Sequence, residues 1–476
     1  MRKIMKKPGV YTSLIYVITA ICFLTQLFQT QILTFKTQML LLLGIVIVWV
    51  LLTYMLFHKK KKRFVRAFGH ILAIIMSIIF VIGYFGAYLT NSLIKDITTQ
   101  SVECKDISLI VLDESDIVSF EDVEEKHAFG YQMICSPEST EQMIKEIEQK
   151  KGFVNPKKEF DSINAMVGGL YDGKVPIVIL DEAYRNILEL EWPTFSEDTR
   201  VVFSINYYEE RINFAKDIDV TEDSFIVLIS GIDTYGDIRK ISRSDVNILA
   251  VVNPKQCKVL LISIPRDYYV PIMSGNNSIG RLDGCKDKLT HTGLFGPECT
   301  VHTLEQLFDI SINYYVRVNF SSVVEIVDAI GGVIVQSDYA FDGFVVGANE
   351  CDGKRALEFA RERYSFLDGD RQRGKNQMKI IEAIISKLSN PSLQYDYTRL
   401  FQTVGGCVDT NVPDDKIKSF IQFQVYNMSA WSVETISVNG SDGKDYSYYG
   451  GQNLYVMYPD EDTVDVAKRR IYEYVR

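Results

Sequence analysis

Three long apolar runs without an acidic residue open this chain. They cover residues 10–30, 39–57 and 67–90, and the first 90 residues contain eleven Lys or Arg but no Asp or Glu. A helix of about 20 apolar residues crosses the ~30 Å hydrocarbon core of a bilayer. A signal peptide would instead be one shorter run followed by a cleavage site of small residues. The sequence therefore predicts a membrane anchor over residues 1–92, with three transmembrane helices.

Basic residues beside these runs predict their orientation. Four lie within residues 2–7 and five form the run 59–63, whereas only Lys36 separates the first two apolar runs. Because cytoplasmic flanks carry the excess of Lys and Arg, we expect the N-terminus inside the cell and the chain beyond residue 92 outside it. The run 59–63 could instead bind nucleic acid, but its position between two membrane helices favours a topology signal that also attracts anionic lipid.

The part of the chain beyond the anchor is acidic. All 61 Asp and Glu lie there, which argues against a nucleic-acid partner because binding to phosphates needs clustered positive charge. Seven of the eight cysteines also lie there, where disulfides persist outside the cell. Local pairs such as Cys104–Cys135 or Cys285–Cys299 are possible, and the sequence does not fix the connectivity. No cysteine or histidine spacing indicates a zinc site.

Two α/β regions follow the anchor. Residues 103–215 alternate short β-branched runs with helical patterns and hold no convergent polar cluster, which predicts a small accessory domain that acts as a spacer or an interaction module. Residues 222–476 begin with an apolar strand at 225–230 and a hairpin of strands at 245–252 and 256–264. Later helical patterns alternate with strands, so we expect helices on a largely antiparallel or mixed sheet.

Charged residues occur where the first strands of the second region end. Asp233 follows the strand 225–230, Arg243 and Asp245 open the next strand, and Arg266 follows its hairpin partner. Because these two strands form a hairpin, we expect Arg243, Asp245 and Arg266 to converge, with Asp233 nearby. Carboxylates mixed with arginines suit a divalent cation and a phosphate-bearing ligand.

A second charged run includes Arg361 and Arg363 and continues with Asp370, Arg373 and Gln377. Arg373 and Gln377 are four residues apart, so they share one face of a helix. The N-terminus of a helix also presents free backbone N–H groups to anions. Taken alone, the run would be interpreted as a set of surface ion pairs.

Ordered motifs connect the two charged runs. They are GID at 231–233, RSD at 243–245, SIPRD at 263–267, DKL at 287–289, YYVRVNF at 314–320, IVDAIGGV at 326–333, DGKRAL at 352–357, RER at 361–363 and DRQR at 370–373. In this order they resemble the LytR–CpsA–Psr (LCP) family of Gram-positive cell-wall proteins. The three N-terminal runs and the accessory domain are similar to those of streptococcal capsule-locus members.

The resemblance implies a fold, a reaction and a set of partners. The expected catalytic domain is a three-layer αβα unit with a mixed, largely antiparallel sheet and a hydrophobic pocket for a polyprenyl tail. The implied reaction transfers a glycopolymer, here capsular polysaccharide, from undecaprenyl pyrophosphate to peptidoglycan with Mg²⁺ or Mn²⁺ as cofactor. The expected partners are this lipid-linked glycan, peptidoglycan, the membrane and other capsule assembly proteins, without nucleic acid.

The resemblance also implies roles for individual residues. The implied pyrophosphate contacts are Arg243, Arg266, Arg361, Arg363, Arg373 and Gln377. The implied metal ligands are Asp233 and Asp245, and Asp370 joins the site through water or an arginine. The expected catalytic group is Arg266, Asp267, Arg361, Arg363 and Asp370. Either Asp267 or Asp233 could act as the general base.

This sequence departs from the family pattern at two places. Ser242 replaces the glycine that commonly precedes Arg243, and residues 290–293 read THTG where the family has a segment like NHAY. We expect His291 to be a hydrogen-bonded structural residue. Two apolar stripes are expected to be core, with some members lining the lipid pocket; they are Val323, Ile326, Val327 and Ile330, and Ile380, Ile381, Ile384 and Ile385.

Other functions remain open on the sequence. A membrane-bound regulator of capsule expression would need a cytoplasmic nucleic-acid-binding module, and the predicted cytoplasmic parts are very short. A lipid-pyrophosphate phosphatase would use the same site with water as the acceptor. A scaffold could hold the carrier lipid without catalysis.

Overall fold

The computed structural model describes residues 8–30, 33–57, 63–98, 102–133, 137–211, 213–275, 283–366, 369–390, 403 and 405–476. The chain divides into two compact units. The first consists of residues 1–99, 389–406 and 413–429, and the second of residues 100–388, 407–412 and 430–476.

The first unit contains three helices at the places where the sequence predicts membrane spans. They are α1 (Pro8–Thr30), α2 (Phe35–Phe57) and α3 (Arg63–Thr98), and all three are long and apolar enough to cross a membrane. Small and aromatic side chains such as Ala20, Ala73 and Phe80 pack between them, while many Ile and Leu side chains stay exposed. Such an apolar outer surface is suited to lipid, so the protein is membrane-anchored.

A further helix of this unit, Asp414–Asn427, comes from a distant part of the chain and packs on α3. Its Tyr426 hydroxyl accepts a hydrogen bond from the Thr34 backbone N–H (3.1 Å) and donates one to Thr37 Oγ1 (2.8 Å). The helix is therefore fixed to the connection between α1 and α2.

The second unit begins with a five-stranded sheet in the order β3-β2-β4-β1-β5. Its strands are β1 (Val102–Leu112), β2 (Phe129–Tyr131), β3 (Lys157–Glu159), β4 (Ile177–Asp181) and β5 (Thr199–Glu210). Its helices are α4 (Pro137–Lys151), α5 (Ile163–Tyr171), α6 (Arg185–Leu188) and α7 (Phe195–Asp198). These elements lie in the segment for which the sequence predicts an accessory domain, and they belong to the same compact unit as the strands that follow. The boundaries of that domain, 103–215, remain a prediction.

A six-stranded sheet in the order β14-β11-β6-β7-β8-β15 forms the centre of the unit. Its strands are β6 (Phe225–Ile232), β7 (Ser244–Asn253), β8 (Lys258–Ile264), β11 (Tyr314–Val318), β14 (Val408–Thr410) and β15 (Ser432–Ser437). The pairs β6–β7, β7–β8 and β11–β14 are antiparallel, whereas β6–β11 and β8–β15 are parallel. The mixed, largely antiparallel sheet is confirmed.

Three two-stranded sheets, five α-helices and the 3₁₀-helix Leu289–Phe295 also belong to the described part of the unit. The strand pairs are β9 (Tyr269–Pro271) with β10 (Lys286–Lys288), β12 (Val333–Ser337) with β13 (Gly347–Cys351), and β16 (Gly440–Ser447) with β17 (Gln452–Pro459). The helices are α8 (Pro297–Phe308), α9 (Phe320–Ala329), α10 (Gly353–Arg361), α11 (Asp370–Leu388) and α12 (Glu461–Val475).

Strand β8 shows why these helices form separate layers. Leu260 and Ile262 are fully buried and share a core with Leu304 of α8 and Val464 of α12. Ser263 points to the opposite face, because successive strand residues alternate. A Cβ atom placed on Gly374 of α11 would lie 2.6 Å from Ser263 Oγ, so α11 lies directly on that face. The sheet is thus covered by α8 and α12 on one side and by α11 on the other.

Neither suggested local disulfide is present among the described residues. Cys104 and Cys299 are free thiols, and Cys135 lies outside the described residues. Burial raises the pKa of the Cys299 thiol above its ordinary value, which makes it unreactive.

Candidate active site

The hairpin register brings the first charged run together, as the sequence predicts. Asn247 of β7 faces Ile264 of β8, so Asp245 and Arg266 extend from the same end of the hairpin. Arg266 Nη1 lies 3.1 Å from Asp245 Oδ1, and Arg243 Nη2 lies 3.7 Å from Asp245 Oδ2. The Asp245 carboxylate is therefore the centre of an arginine pair.

The N-terminus of α11 supplies the second part of the site. Asp370, the first residue of α11, accepts a hydrogen bond from Arg373 Nη2 at 2.9 Å. The same carboxylate lies 3.7 Å from Arg266 Nε and 4.0 Å from Arg363 Nη1. Asp370 therefore bridges three arginines that come from different elements, which matches the expectation that it joins the site through an arginine.

A cavity of about 940 Å³ opens beside this cluster, between α11 and the strands β8 and β15. Its charged and polar lining includes Arg266, Asp267, Arg363, Asp370, Arg373 and Gln377. Its apolar lining includes Ile264, Met378, Ile436, Val438 and Met457. Clefts with an apolar wall and a few convergent polar groups are the usual ligand sites of proteins.

The apolar wall differs from the two stripes that the sequence singles out. None of the eight stripe residues lines this cavity. Val327, Ile330 and Ile380 are buried in the core, and the other five are half-buried. Three of the eight stripe residues are therefore core, as expected, and the other five lie at half-buried positions outside this cavity.

The charged groups around the cavity shift one another's pKa values. Burial opposes ionisation of Asp245, but Arg243 and Arg266 outweigh it and hold the pKa of this carboxyl below its usual range. Burial and the nearby charge of Arg266 lower the pKa of Arg373, although Asp370 acts in the opposite direction. At Arg266 burial is outweighed by the carboxylates of Asp245, Asp267 and Asp370, which raise its pKa. Positive charge is therefore compensated at Arg266 but not fully at Arg373, where a bound anion would stabilise the guanidinium.

Two buried polar atoms of the cluster have no hydrogen-bond partner. They are Arg266 Nε and Asp245 Oδ2. Buried groups of this kind are uncommon in folded proteins, and each is accounted for by a water, an ion, a ligand or strain. An unused guanidinium N–H suits a phosphate oxygen, and an unused carboxylate oxygen suits a hard divalent cation. Asp245 thus fits the metal-ligand role that the resemblance implies.

Lys288 and Thr290 belong to the site but were not assigned from the sequence. Lys288 of β10 forms an ion pair with Asp267, and Asp267 Oδ2 lies 3.7 Å from Arg266 Nε. Thr290 Oγ1 donates a 2.7 Å hydrogen bond to Asp245 Oδ1. The DKL motif at 287–289 contains Lys288. The sequence signal for Lys288 is thus a charged side chain within one of the motifs that resemble the family.

The THTG segment packs against the backbone that leads from Arg243 into β7. A Cβ atom on Gly293 would lie 2.4 Å from the Ser244 backbone nitrogen and 2.5 Å from the Ser242 carbonyl oxygen. Only glycine permits this close approach of two backbones. His291 is buried and its Nδ1 lies 2.8 Å from Asp287 Oδ1, which confirms the expected structural role.

Three predicted site residues lie apart from the cavity lining: Arg243, Arg361 and Asp233. Arg243 still contacts the cluster through Asp245. The Arg361 guanidinium stacks 4.1 Å from the centre of the Phe320 ring and donates a 3.2 Å hydrogen bond to the Tyr235 hydroxyl. Asp233 is exposed beyond the end of β6 and makes no hydrogen bond or ion pair in the part of the chain that the structure describes. The described residues also contain no cluster of three His, Cys, Asp or Glu side chains able to hold a metal ion. The roles of Arg361 and Asp233 stay predictions.

The fold and the site define a membrane-anchored α/β protein with a cluster of arginines and carboxylates where the strands of its central sheet end. The chain belongs to the LytR_cpsA_psr family, whose sequence model matches residues 197–468.

Its relatives include transferases of bacterial cell-wall polymers. The chain is 35% identical over 203 residues to the polyisoprenyl-teichoic acid–peptidoglycan teichoic acid transferase TagU of Enterococcus faecalis, a match that covers 41% of this chain and 64% of that protein. It is 36% identical to TagU of Bacillus licheniformis, over 44% of this chain and 67% of that protein. The crystal structure of B. subtilis TagT is 29% identical, with 56% of this chain and 96% of TagT covered and a TM-score of 0.41.

Proposed function

We propose that this chain transfers a glycopolymer, with capsular polysaccharide as the expected cargo, from a polyprenyl pyrophosphate carrier to peptidoglycan. The observation that carries this proposal is the buried Arg266 Nε–H, which makes no hydrogen bond although two carboxylates lie 3.7 Å away. It lies in a cavity shared with Arg363 and Arg373. A pyrophosphate offers oxygens to all three guanidinium groups. The names of the relatives support the reaction class, since TagU is named as a transferase from a polyisoprenyl carrier to peptidoglycan.

In this mechanism the arginines bind the pyrophosphate and stabilise charge. A hydroxyl oxygen of the acceptor forms a bond to the sugar-linked phosphorus, the phosphoanhydride bond breaks, and polyprenyl phosphate leaves. Negative charge grows on the phosphate oxygens, and donors already aimed at them need no reorganisation. Removing one such donor typically reduces the rate by about 10²- to 10³-fold.

A divalent cation, Mg²⁺ or Mn²⁺, is part of the proposal. Asp245 would hold it through Oδ2, the buried oxygen without a hydrogen bond, and Asp233 is the second proposed ligand. The ion would neutralise charge on the pyrophosphate. Of the two candidate bases, Asp267 lines the cavity. We therefore assign acceptance of the acceptor proton to Asp267.

We also propose that the second unit lies outside the cell. The basic residues at 2–7 and 59–63 support this orientation, because positive charge is retained on the cytoplasmic side. A reporter enzyme that is active only outside the cytoplasm, fused after Arg476, tests it. Activity of a cytoplasmic reporter at the same position would overturn both the orientation and the proposed acceptor.

The central test uses Arg363→Ala, with Arg469→Ala as a control on the exposed side of α12. The Arg363 variant should release polymer that the wild-type attaches to the wall, while Arg469→Ala should attach it normally. Equal attachment by both variants at equal protein levels would refute the ligase function. Water in place of the acceptor would instead yield free polymer phosphate from purified wild-type protein even when peptidoglycan is present, which distinguishes a phosphatase.

A further inference from the structure

The hairpin of β16 and β17 has two unequal faces. Its register pairs Asp442 with Met457, Lys444 with Tyr455, and Tyr446 with Asn453, among others. Because side chains alternate along a strand, these paired residues lie on one face, which we call the tyrosine face. It consists of Asp442, Lys444, Tyr446, Asn453, Tyr455 and Met457.

The opposite face holds the hairpin in the fold. Leu454 and Val456 are buried there, and Tyr458 packs edge-on against Tyr269 with ring centres 6.1 Å apart. On the tyrosine face, by contrast, Tyr446 and Tyr455 keep 42% and 47% of their surface exposed. The core therefore does not require these two rings.

The tyrosine face is continuous with the cavity. Tyr455 and Met457 line the cavity wall, and Lys288 Nζ lies 5.8 Å from the centre of the Tyr455 ring. Lys288 in turn pairs with Asp267, whose carboxylate is 3.7 Å from Arg266 Nε. Tyr455 is thus separated from the pyrophosphate-binding arginine by two contacting side chains.

Helix α11 fixes the start of the hairpin to the same site. Arg371 Nη2 donates a 2.8 Å hydrogen bond to the Gly440 carbonyl and lies 3.7 Å from Asp442 Oδ1. Asp442 also accepts a 2.8 Å hydrogen bond from the Tyr455 hydroxyl. The turn of α11 that carries Asp370 therefore also orients the Tyr455 ring at the edge of the cavity.

The chemistry of this face suits sugars. The flat apolar surface of a tyrosine ring can cover the C–H face of a sugar ring, and the neighbouring carboxylate, amide and ammonium groups can bond to hydroxyls. A prenyl chain would require a continuous apolar surface, which the alternating Asp442, Lys444 and Asn453 do not provide.

We propose that the tyrosine face binds the donor sugars nearest to the pyrophosphate, with Tyr455 contacting the first sugar. This assignment rests on the proposed function. The first sugar is covalently joined to the pyrophosphate, so it must lie beside the arginines. Two exposed tyrosines line the cavity, Tyr364 and Tyr455. The Arg363 guanidinium already covers the Tyr364 ring and donates a hydrogen bond to its hydroxyl, so we assign the first sugar to Tyr455. The next sugars then extend along the face toward Tyr446.

The test compares two lipids on the full chain purified in detergent. One is polyprenyl pyrophosphate without sugar, and the other is the same lipid carrying a disaccharide. Tyr455→Ala should weaken binding of the disaccharide lipid about tenfold, equivalent to about 1.4 kcal/mol, and leave the sugar-free lipid unchanged. Tyr455→Phe keeps the ring and should retain most of the affinity. Tyr472→Ala is the matched control, since Tyr472 of α12 is 57% exposed and lies outside the face.

Each outcome separates the assignment from its alternatives. If Tyr455→Ala weakens the binding of both lipids equally, or weakens the binding of neither, the sugar-binding role is overturned. If Tyr446→Ala and Tyr455→Ala reduce sedimentation with purified peptidoglycan but bind both lipids normally, the face belongs to the acceptor and the donor assignment is wrong. If the wild-type protein binds neither lipid, the proposed function itself fails, whatever the variants do.

Discussion

Arg266 provides the sharpest test of the site, because its structural and catalytic contributions can be separated. Its Nη1 lies 3.1 Å from Asp245 Oδ1, and the two side chains are only 20% and 8% exposed. With an effective dielectric constant of about 20, Coulomb's law gives an attraction of about 5 kcal/mol at this distance. Removing one partner of a buried pair costs about 3–5 kcal/mol. Arg243 and Thr290 still stabilise the carboxylate, so we expect Arg266→Met to cost about 3 kcal/mol.

A second substitution should restore stability without restoring transfer. Asp245→Asn in the Arg266→Met background removes a buried charge that only Arg243 and Thr290 still stabilise, so part of the lost stability should return. The Arg266 N–H groups that would bind the pyrophosphate are still absent, and the proposed metal ligand Asp245 is lost as well. Binding of polyprenyl pyrophosphate and transfer of a labelled glycan should therefore stay at the level of the single Arg266 variant.

Two measurements on the full chain separate the structural contribution of Arg266 from its catalytic contribution. Thermal unfolding in detergent reports the stability of wild-type, single and double variants, and transfer to peptidoglycan reports function. Recovery of transfer in the double variant would show that Arg266 only supports the fold. A double variant as unstable as the single one would show that the Arg266–Asp245 pair is not the source of the loss.

Four further outcomes are expected. Gly293→Ala should lower the melting temperature and displace Arg243, because its Cβ would meet the Ser244 backbone at 2.4 Å. Gly86→Ala is the control, since Gly86 has open space around it, and it should leave the melting temperature unchanged. Equal melting temperatures of the two variants would contradict this prediction. His291 and hydrogen bonds hold the pKa of Asp287 below its usual range against the effect of burial. Asp287 therefore contributes stability above its ordinary pKa of about 4, and this contribution is lost as the pH falls through the lower folded-state value. In Asp287→Asn the melting temperature should therefore fall less steeply at acidic pH than in the wild type. An unchanged dependence of the melting temperature on pH would refute this role of Asp287. Chelation of divalent cations should abolish transfer while the arginines still bind the lipid; full transfer in chelator would exclude the metal. Arg363→Ala should weaken lipid binding more than Arg361→Ala, because only Arg363 lines the cavity, and the reverse order in a binding titration would contradict this.

Some features of the protein follow from local sequence alone. The membrane helices depend on run length and the absence of acidic residues, which no tertiary contact needs to supply. The convergence of Arg243, Asp245 and Arg266 follows from a hairpin, since pairing between neighbouring strands fixes which residues lie side by side. The order of the motifs along the chain is likewise enough to indicate the family.

Other features depended on how distant segments pack. Arg361 and Arg363 look equivalent in sequence, but α10 ends at Arg361, so the two side chains leave the backbone in different directions and only Arg363 lines the cavity. Lys288 and Tyr455 join the site from β10 and β17. The packing of α11 on β8, through Gly374 and Ser263, places Arg373 opposite Arg266.

The sequence by itself therefore determined the anchor, the family and the charged groups available to the site. The tertiary structure decided which of those groups share one cavity, which buried atoms remain without a partner, and where an exposed aromatic face adjoins them. The physical reason is that side-chain direction and burial depend on where each element ends and what packs against it, and local sequence patterns carry little of that information.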